Sequence, residues 1–232
     1  MKYPCRIDKF ISKAVGLPRS EAKKVIKAQR VQINQSIVTN AQTAVQASDQ
    51  VLLDQQPLMA QQHVYYMLNK PQGYLSTEAE ANYPSALSLL PNSPLQLHAA
   101  GRLDVDTTGL LLVTSDGQWS HRVTSPRADK VKQYRVSLAD PITEAELQLL
   151  RDGLMLRGEQ KPTKPAEVEQ LDERLIVLRI SEGRYHQVKR MCAAVGNKVL
   201  ALHREQIGDI HLDSQLAAGE YRPLSPQEIS CF

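Results

Sequence analysis

The sequence predicts an α+β protein of two unequal domains, with a mixed, largely antiparallel sheet in the larger one. Three observations carry this. Strand-like stretches are separated irregularly, sometimes by turns and sometimes by helical patterns, rather than in a strict strand–helix repeat. The 232 residues exceed the usual size of one small domain. Charge also divides unevenly along the chain. Residues 1–33 hold nine basic and two acidic side chains, a net +7; the remainder holds nineteen basic and twenty-three acidic, a net −4.

In the basic segment, Ile7, Phe10, Ile11, Ala14 and Val15 keep helical spacing, and Gly16 ends that helix. Pro18 interrupts the chain, and Ser20 is placed to cap a second helix with Ala22, Val25 and Ile26 as its buried stripe. Lys23, Lys24 and Lys27 then project away from that stripe. Arg30–Ile33 alternates like a strand, 34–36 turn, and Ile37-Val38 return. Gln50–Leu53 is expected to add the module's last strand. Gln55–His63, polar with one proline, reads as a linker and sets a boundary near residue 60, giving domains 1–60 and 61–232. Concentrated positive charge on so short a module points to nucleic acid rather than to an ordinary solvated helix face. Lys9, Arg19, Lys23, Lys24, Lys27 and Arg30 are the candidate phosphate contacts.

The second domain is expected to open with strand Tyr65–Leu68 and a turn over 69–73, with 76–96 mostly loop. Gly101–Thr108 has neither helical nor strand periodicity, whereas Leu110–Val113 is an apolar run of strand length. Ser115 or Asp116 can cap a short helix through Val123. Lys132–Leu138 alternates, with Tyr134, Val136 and Leu138 on one face. Thr143 and Glu146 form a capping box for a helix to about Asp152. Leu175–Ile180 is a strand. Ser181 or Glu182 is expected to open a helix with Val188, Met191, Cys192 and Val195 inward. Val199–His203 and Ile207–Leu212 are further strands, and Ser225, Pro226 and Glu228 begin a short last helix.

Other features exclude several classes. No apolar run is long enough to span a bilayer, and the first residues form no signal-peptide pattern, so a cytoplasmic protein without membrane association is expected. Cys5, Cys192 and Cys231 are odd in number and lack metal-ligand spacing, against both a disulfide framework and a zinc site. No dinucleotide or P-loop signature is present, and no cofactor or metal is expected. Nothing forms an oligomerisation stripe, so a monomer is expected.

The stretch His98–Gly117, HAAGRLDVDTTGLLLVTSDG, carries the chemistry. It sets Asp104 on a loop anchored by an apolar strand, with Arg102 and Asp106 beside it, a plausible way to aim a catalytic acid. Asp and Gly also favour turns for backbone reasons alone. The same letters satisfy the DxDxT pattern of haloacid-dehalogenase-like phosphatases, in which Asp104 would accept phosphate with Mg²⁺ present. That fold needs an apolar strand running into the first aspartate, and here the apolar run follows it.

GRLDVDTTGLLLVTSDG resembles the signature of the pseudouridine synthases that act on ribosomal RNA. The likeness extends, in order, through YYMLNKPQGY at 65–74, GQWSHRVTSPR at 117–127, KQYRV at 132–136, ISEGRYHQVKRM at 180–191, LHRE at 202–205 and GEYRPL at 219–224. The run Arg19–Ile33 is similar to the S4-type RNA-binding module. The resemblance implies an S4-like domain joined by a linker to a pseudouridine synthase domain. It implies that Asp104 is the essential catalytic residue, that Lys189 pairs with it (Arg190 being second choice), and that Tyr134 lies against the target base. Such chemistry needs a carboxylate at the sugar, kept ionised by a cation.

Arg102 is a candidate for holding phosphate or an extruded base, or alternatively for an ion pair with Asp106 or Asp116. Arg184 and His186, with Gln187, fall near an expected helix start, where phosphate also binds. His186 as a general base is a weaker reading. Asp106 is assigned to the loop backbone, with Thr107 and Thr108. The implied partner is 16S RNA, with a target of the uridine-516 type, within a partly assembled small subunit. A 23S target and a non-catalytic RNA-binding assembly factor stay open as alternatives.

Overall fold

The computed structural model describes residues 3–58, 63–78, 80, 82–125 and 129–232. The chain divides into two compact units, Met1–His63 and Val64–Phe232. The expected boundary near residue 60 and the end of the 117–127 segment lie outside the described residues.

In the first unit, β1 (Cys5–Arg6) leads into α1 (Ile7–Val15), which Gly16 closes in the left-handed conformation. α2 spans Arg19–Lys27. Its N-cap is Pro18, with no side-chain cap, so Ser20 lies inside the first turn and does not cap it as expected. Ile7, Phe10, Ile11, Ala22 and Ile26 bury against Val31, Val45 and Val51 in one core. Val15 is exposed, contrary to its place in the expected stripe, because it falls in the last turn beyond the core. β2 (Val31–Ile33), β3 (Ser36–Ile37), β5 (Val51–Leu53) and β6 (Gln56–Leu58) form an antiparallel sheet in the order β3-β2-β5-β6; β4 (Ala44–Val45) pairs with β1. Gln50–Leu53 is therefore not the last strand. The chain turns at Asp54 and Gln55, both at positive φ, and Gln56–Leu58 returns as an edge strand. The edge position tolerates Pro57, which lacks a ladder donor.

In the second unit, β7 (Tyr65–Lys70), the short β8 (His98–Ala99) and β9 (Thr108–Thr114) come first. β7 runs two residues beyond its expected end. α3 (Gly117–Thr124) follows, capped by Asp116, whose side chain accepts from the Gln118 and Trp119 amides. Then come β10 (Lys132–Leu138), α4 (Glu144–Asp152, with the Thr143–Glu146 capping box), β11 (Glu167–Asp172), β12 (Leu175–Ile180) and α5 (Gln187–Ala194). β13 (Val199–Ile207), β14 (Ile210–His211), β15 (Tyr221–Pro223) and α6 (Pro226–Ser230) complete the chain. No helix among the described residues is long and apolar enough to cross a membrane.

The main sheet runs β11-β12-β10-β13-β9-β7-β15, with β8 paired to β9 and β14 to β13. Every pairing is antiparallel except β13 with β9, which meet in parallel at His203–Thr108 and Arg204–Gly109. β9 is buried on both faces: Leu110 and Leu112 pack with Met67 and Trp119, while Leu111 and Val113 pack with Leu68 and Ala86. Beyond the seam, Val136, Leu138, Ile176 and Leu178 of the sheet pack against Leu147 and Leu150 of α4 and Met191 and Cys192 of α5.

The seam depends on Gly109. Its φ is +99°, and a Cβ there would lie 2.3 Å from the Arg204 carbonyl oxygen and 2.8 Å from its nitrogen, both backbone atoms. Gly109→Ala is expected to destabilise the second unit by at least about 2 kcal/mol, from overpacking and backbone strain together. A lowered urea midpoint checks this; a midpoint equal to wild type would mean the strands separate freely.

Candidate active site

The seam sets the position of the Asp104 loop. Nearly every carbonyl of the loop has a partner. Lys70, fully buried at the end of β7, directs its ammonium at the carbonyls of Pro71 (3.0 Å), Val105 (3.4 Å) and Thr107 (2.8 Å). Ser76 Oγ donates to the Leu103 carbonyl and accepts from the Leu103 amide, at 2.8 and 2.9 Å. Gly73 N–H donates to Val105 O at 2.8 Å. From β13, Arg204 Nε donates to Leu110 O at 2.9 Å and Nη1 to Arg102 O at 3.3 Å. Leu103 anchors the loop in the core. The carboxylate of Asp104 thus projects from a braced backbone.

α5 presents the counter-charge. Lys189 Nζ lies 2.8 Å from Asp104 Oδ2 and 2.6 Å from Asp106 Oδ1. Burial works against the ammonium, but the two carboxylates outweigh it and hold the Lys189 pKa above its ordinary value. Burial likewise opposes the charge on Asp106, and the Lys189 hydrogen bond prevails, holding its carboxyl below the usual range. The Asp106 carboxylate takes a hydrogen bond from its own backbone amide and, beyond the loop-backbone role expected from sequence, shares the lysine.

α5 begins at Gln187, later than the expected Ser181 or Glu182. His186 is its N-cap, in the left-handed conformation, so Tyr185 and His186 precede the first helical turn. The physical reason is the Arg184–Glu182–Gln187 cluster, which holds 182–187 as a turn: Gln187 accepts from the Arg184 amide and donates to Glu182. His186 Nε2 comes to 3.3 Å from Asp104 Oδ1.

These groups line a cavity of about 250 Å³. Asp104, Lys189, His186, Arg102 and Tyr134 all face it, with Lys132 and Arg204 from the neighbouring strands. Tyr134 is half-buried on β10, packed against two of the sheet's three core clusters. Arg102 is exposed; Asp106 is engaged by Lys189 and Asp116 by the start of α3 and the Tyr65 hydroxyl. Among the described residues, no ion pair joins Arg102 to either carboxylate. Arg190 points elsewhere, to Glu159 and the carbonyls of Tyr185 and Arg157. Arg184 lines the cavity, but all three of its guanidinium nitrogens are engaged, by Glu182 and the carbonyls of Lys161 and Pro162.

In the first unit, Lys9, Lys23 and Lys27 are exposed with no ion pair among the described residues. Lys24 pairs with Glu21 and Arg30 with Asp54. Arg19, with Arg6, neutralises the buried Asp8. Burial opposes the Asp8 charge, and the two guanidiniums still hold its carboxyl below the usual range.

Lys70, Lys132 and Arg204 were missed. A lysine at the end of an apolar strand and an arginine within strand 199–207 were the available signals, because charge inside a buried strand needs a polar partner or a ligand. Thr107 Oγ1 and Arg204 Nη2 are buried without a hydrogen-bond partner among the described residues. No group of His, Cys, Asp and Glu among the described residues is arranged to hold a metal.

An α+β body with a carboxylate–lysine pair lining a cavity of about 250 Å³, on a chain whose first unit is basic, has the parts expected of an RNA-modifying enzyme. The RNA pseudouridylate synthase family matches residues 64–194, and the S4 domain matches 5–51. The chain is 50% identical over 227 residues to ribosomal small subunit pseudouridine synthase A of Haemophilus influenzae, covering 97% of each. It is 49% identical to the protein of that name from Escherichia coli, over 97% of this chain and 98% of the relative. A crystal structure of a pseudouridylate synthase superposes with a TM-score of 0.70 at 50% identity, covering 97% and 98% of the two chains. The chain belongs to the RNA pseudouridylate synthase family and is an isomerase.

Lys70 supplies a pH-dependent test of the loop. Burial pushes its pKa down to about 8, the carboxylates of Asp106 and Asp104 acting in the opposite sense. Between about pH 8 and the ordinary lysine value near 10.4, the unfolded chain binds more protons than the folded one, so this group makes stability rise with pH there. Lys70→Met is expected to abolish that rise relative to wild type, in urea unfolding at pH 8 and pH 10, and to lower turnover by loosening the Asp104 loop. Identical pH slopes in the two proteins would refute the assignment.

Proposed function

We propose that the protein converts one uridine of 16S ribosomal RNA, of the uridine-516 type, to pseudouridine, with Asp104 as the catalytic residue. The observation that carries the reading is the Asp104 carboxylate, 2.8 Å from Lys189 and facing a cavity that Tyr134 also lines. The small-subunit target rests on what the relatives in Haemophilus influenzae and Escherichia coli are named for.

The reaction breaks the bond from uracil N1 to ribose C1′, turns the base, and forms a bond from C5 to C1′. The C5 proton is lost and N1 gains one, so atoms balance without a donor or an oxidant. Asp104 is the only carboxylate among the cavity-lining residues apart from Glu182, and Glu182 is held by Arg184 and Gln187. It acts at the detached or detaching sugar, where a carboxylate stabilises positive charge, attacks it, or removes a proton. Lys189 pairs with that carboxylate and aims it. Tyr134 offers its ring to the base, a contact worth roughly 1–3 kcal/mol for base–aromatic stacking. Arg102 and His186 stand where an extruded nucleotide enters.

In the first unit, Lys9, Lys23 and Lys27, with Lys24, Arg19 and Arg30 beside them, form the phosphate-binding face. Binding through phosphates is sensitive to salt and indifferent to sequence. The substrate is 16S RNA within a partly assembled small subunit, and the protein acts as a cytoplasmic monomer without a cofactor.

Incubation with 16S RNA, alone and with small-subunit proteins bound, in EDTA, followed by mapping of pseudouridine, tests the whole reading. Wild type is expected to modify one site, and Asp104→Asn to fold and bind RNA normally while making no product. Modification of 23S RNA instead would keep the chemistry and move the target. Salt-sensitive binding with no product on either RNA would favour an assembly factor. Lys189→Ala is expected to lower kcat on the order of 100-fold, the scale of losing one electrostatic contact in a catalytic site, with a smaller change in RNA affinity. An unchanged kcat would remove Lys189 from the mechanism.

A further inference from the structure

Tyr185 has no role in the isomerisation described above and none in the core. At 73% it is the most exposed of the large apolar side chains among the described residues. It is nevertheless ordered by its neighbour. Its ring stacks on the His186 imidazole with centroids 3.8 Å apart and planes inclined by 21°. His186 in turn reaches 3.3 Å from Asp104 and lines the cavity. The backbone here is constrained: His186 sits at φ 47° and ψ 36°, a conformation that a non-glycine residue keeps only where its surroundings impose it. Arg190 fixes the adjoining peptides, Nη1 donating to the Tyr185 carbonyl at 3.1 Å and its own amide to the His186 carbonyl at 3.0 Å.

An aromatic ring with one face on a histidine and most of its surface in water adds little to folding. It offers a flat, preformed surface immediately outside the catalytic cavity. A uridine that enters the cavity must leave its stack, and the base next to it then loses a stacking partner. A flat aromatic beside the cavity replaces that partner, whatever the base, because every base has a π-face.

We propose that Tyr185, backed by His186, is a stacking platform for the unpaired nucleobase adjoining the target uridine in the same RNA strand. The proposal rests on the RNA-uridine reading of the site. A protein surface is the rival occupant, and it is disfavoured by the direct ring-to-ring-to-Asp104 continuity with the substrate cavity.

The test compares wild type, Tyr185→Phe and Tyr185→Leu on the RNA form that wild type modifies, with either neighbour of the mapped uridine replaced in turn by an abasic residue. Tyr185→Leu is expected to raise KM roughly 5- to 100-fold, the equivalent of losing one base–aromatic stack, with the rate at saturating RNA within about twofold of wild type. Tyr185→Phe is expected to match wild type, which also shows that the segment folds. One abasic neighbour is expected to weaken wild type by a similar factor and to add nothing in Tyr185→Leu. An unchanged KM in Tyr185→Leu, or additive effects of the variant and the abasic residue, overturns the platform. So does a Tyr185→Leu defect seen only with small-subunit proteins present and absent in binding to protein-free RNA, which would assign the ring to a protein contact. Absence of pseudouridine with wild type would instead overturn the functional reading itself.

Discussion

The parallel contact of β9 with β13 governs everything near the active site. It joins two antiparallel halves of the sheet, and only glycine at 109 lets the backbones approach as closely as they do. Because β9 begins at this contact, the loop that precedes it opens directly over β13 and faces α5. Arg204, on the β13 side of the same contact, reaches back to hold Arg102 and Leu110 by their carbonyls. A single close approach thus fixes where the Asp104 loop ends, within reach of Lys189 on α5.

The loop is rigid for an electrostatic reason as well as a steric one. A buried lysine is costly unless its donors find acceptors. Lys70 finds them in the loop's own carbonyls, so the chain that would otherwise pull an ammonium out of water is the chain that must be held still. The surface charge balance follows the same logic. Lys189 stands between two carboxylates, and neither the lysine nor Asp104 has to be buried unpaired. Two carboxylates sharing one lysine leave a formal excess of negative charge beside the cavity.

Much of this was legible in the sequence because the relevant signals are local. The Thr143–Glu146 capping box, Gly16 after α1, and the apolar run of β9 each fix an element through interactions within a few residues. Asp104 and Lys189 stood out through motif resemblance, although their 2.8 Å approach spans 85 positions and no periodicity encodes it. The failures share the opposite property. β11 carries EVEQLD, exposed at five of six positions, and is a strand only because β12 pairs with it at the sheet edge. β6 looked like a linker because its strand character comes from β5. The start of α5 was misplaced because Glu182, Arg184 and Gln187 bind one another before the helix begins. Asp106 was read through its neighbours in sequence alone, whereas it also shares Lys189.

The proposed function divides affinity from selection between the two units. Under this reading, the exposed lysines on α1 and α2 would recognise phosphate charge, which every stretch of RNA offers equally, and the cavity of about 250 Å³ would take the base that has left its stack. Neither alone identifies a uridine within a long RNA. Selection must therefore come from groups that touch what changes when a particular nucleotide is extruded: the base in the cavity, the phosphates at its rim, and the neighbour left behind. Under the proposed function Tyr134, Arg102 and Tyr185 are assigned to those three places; Tyr134 is half-buried while the other two stand in solvent. A core role accounts in part for Tyr134. It does not account for the exposed arginine that lines the cavity or for the exposed tyrosine stacked on His186, and the proposed RNA substrate supplies a reason for both.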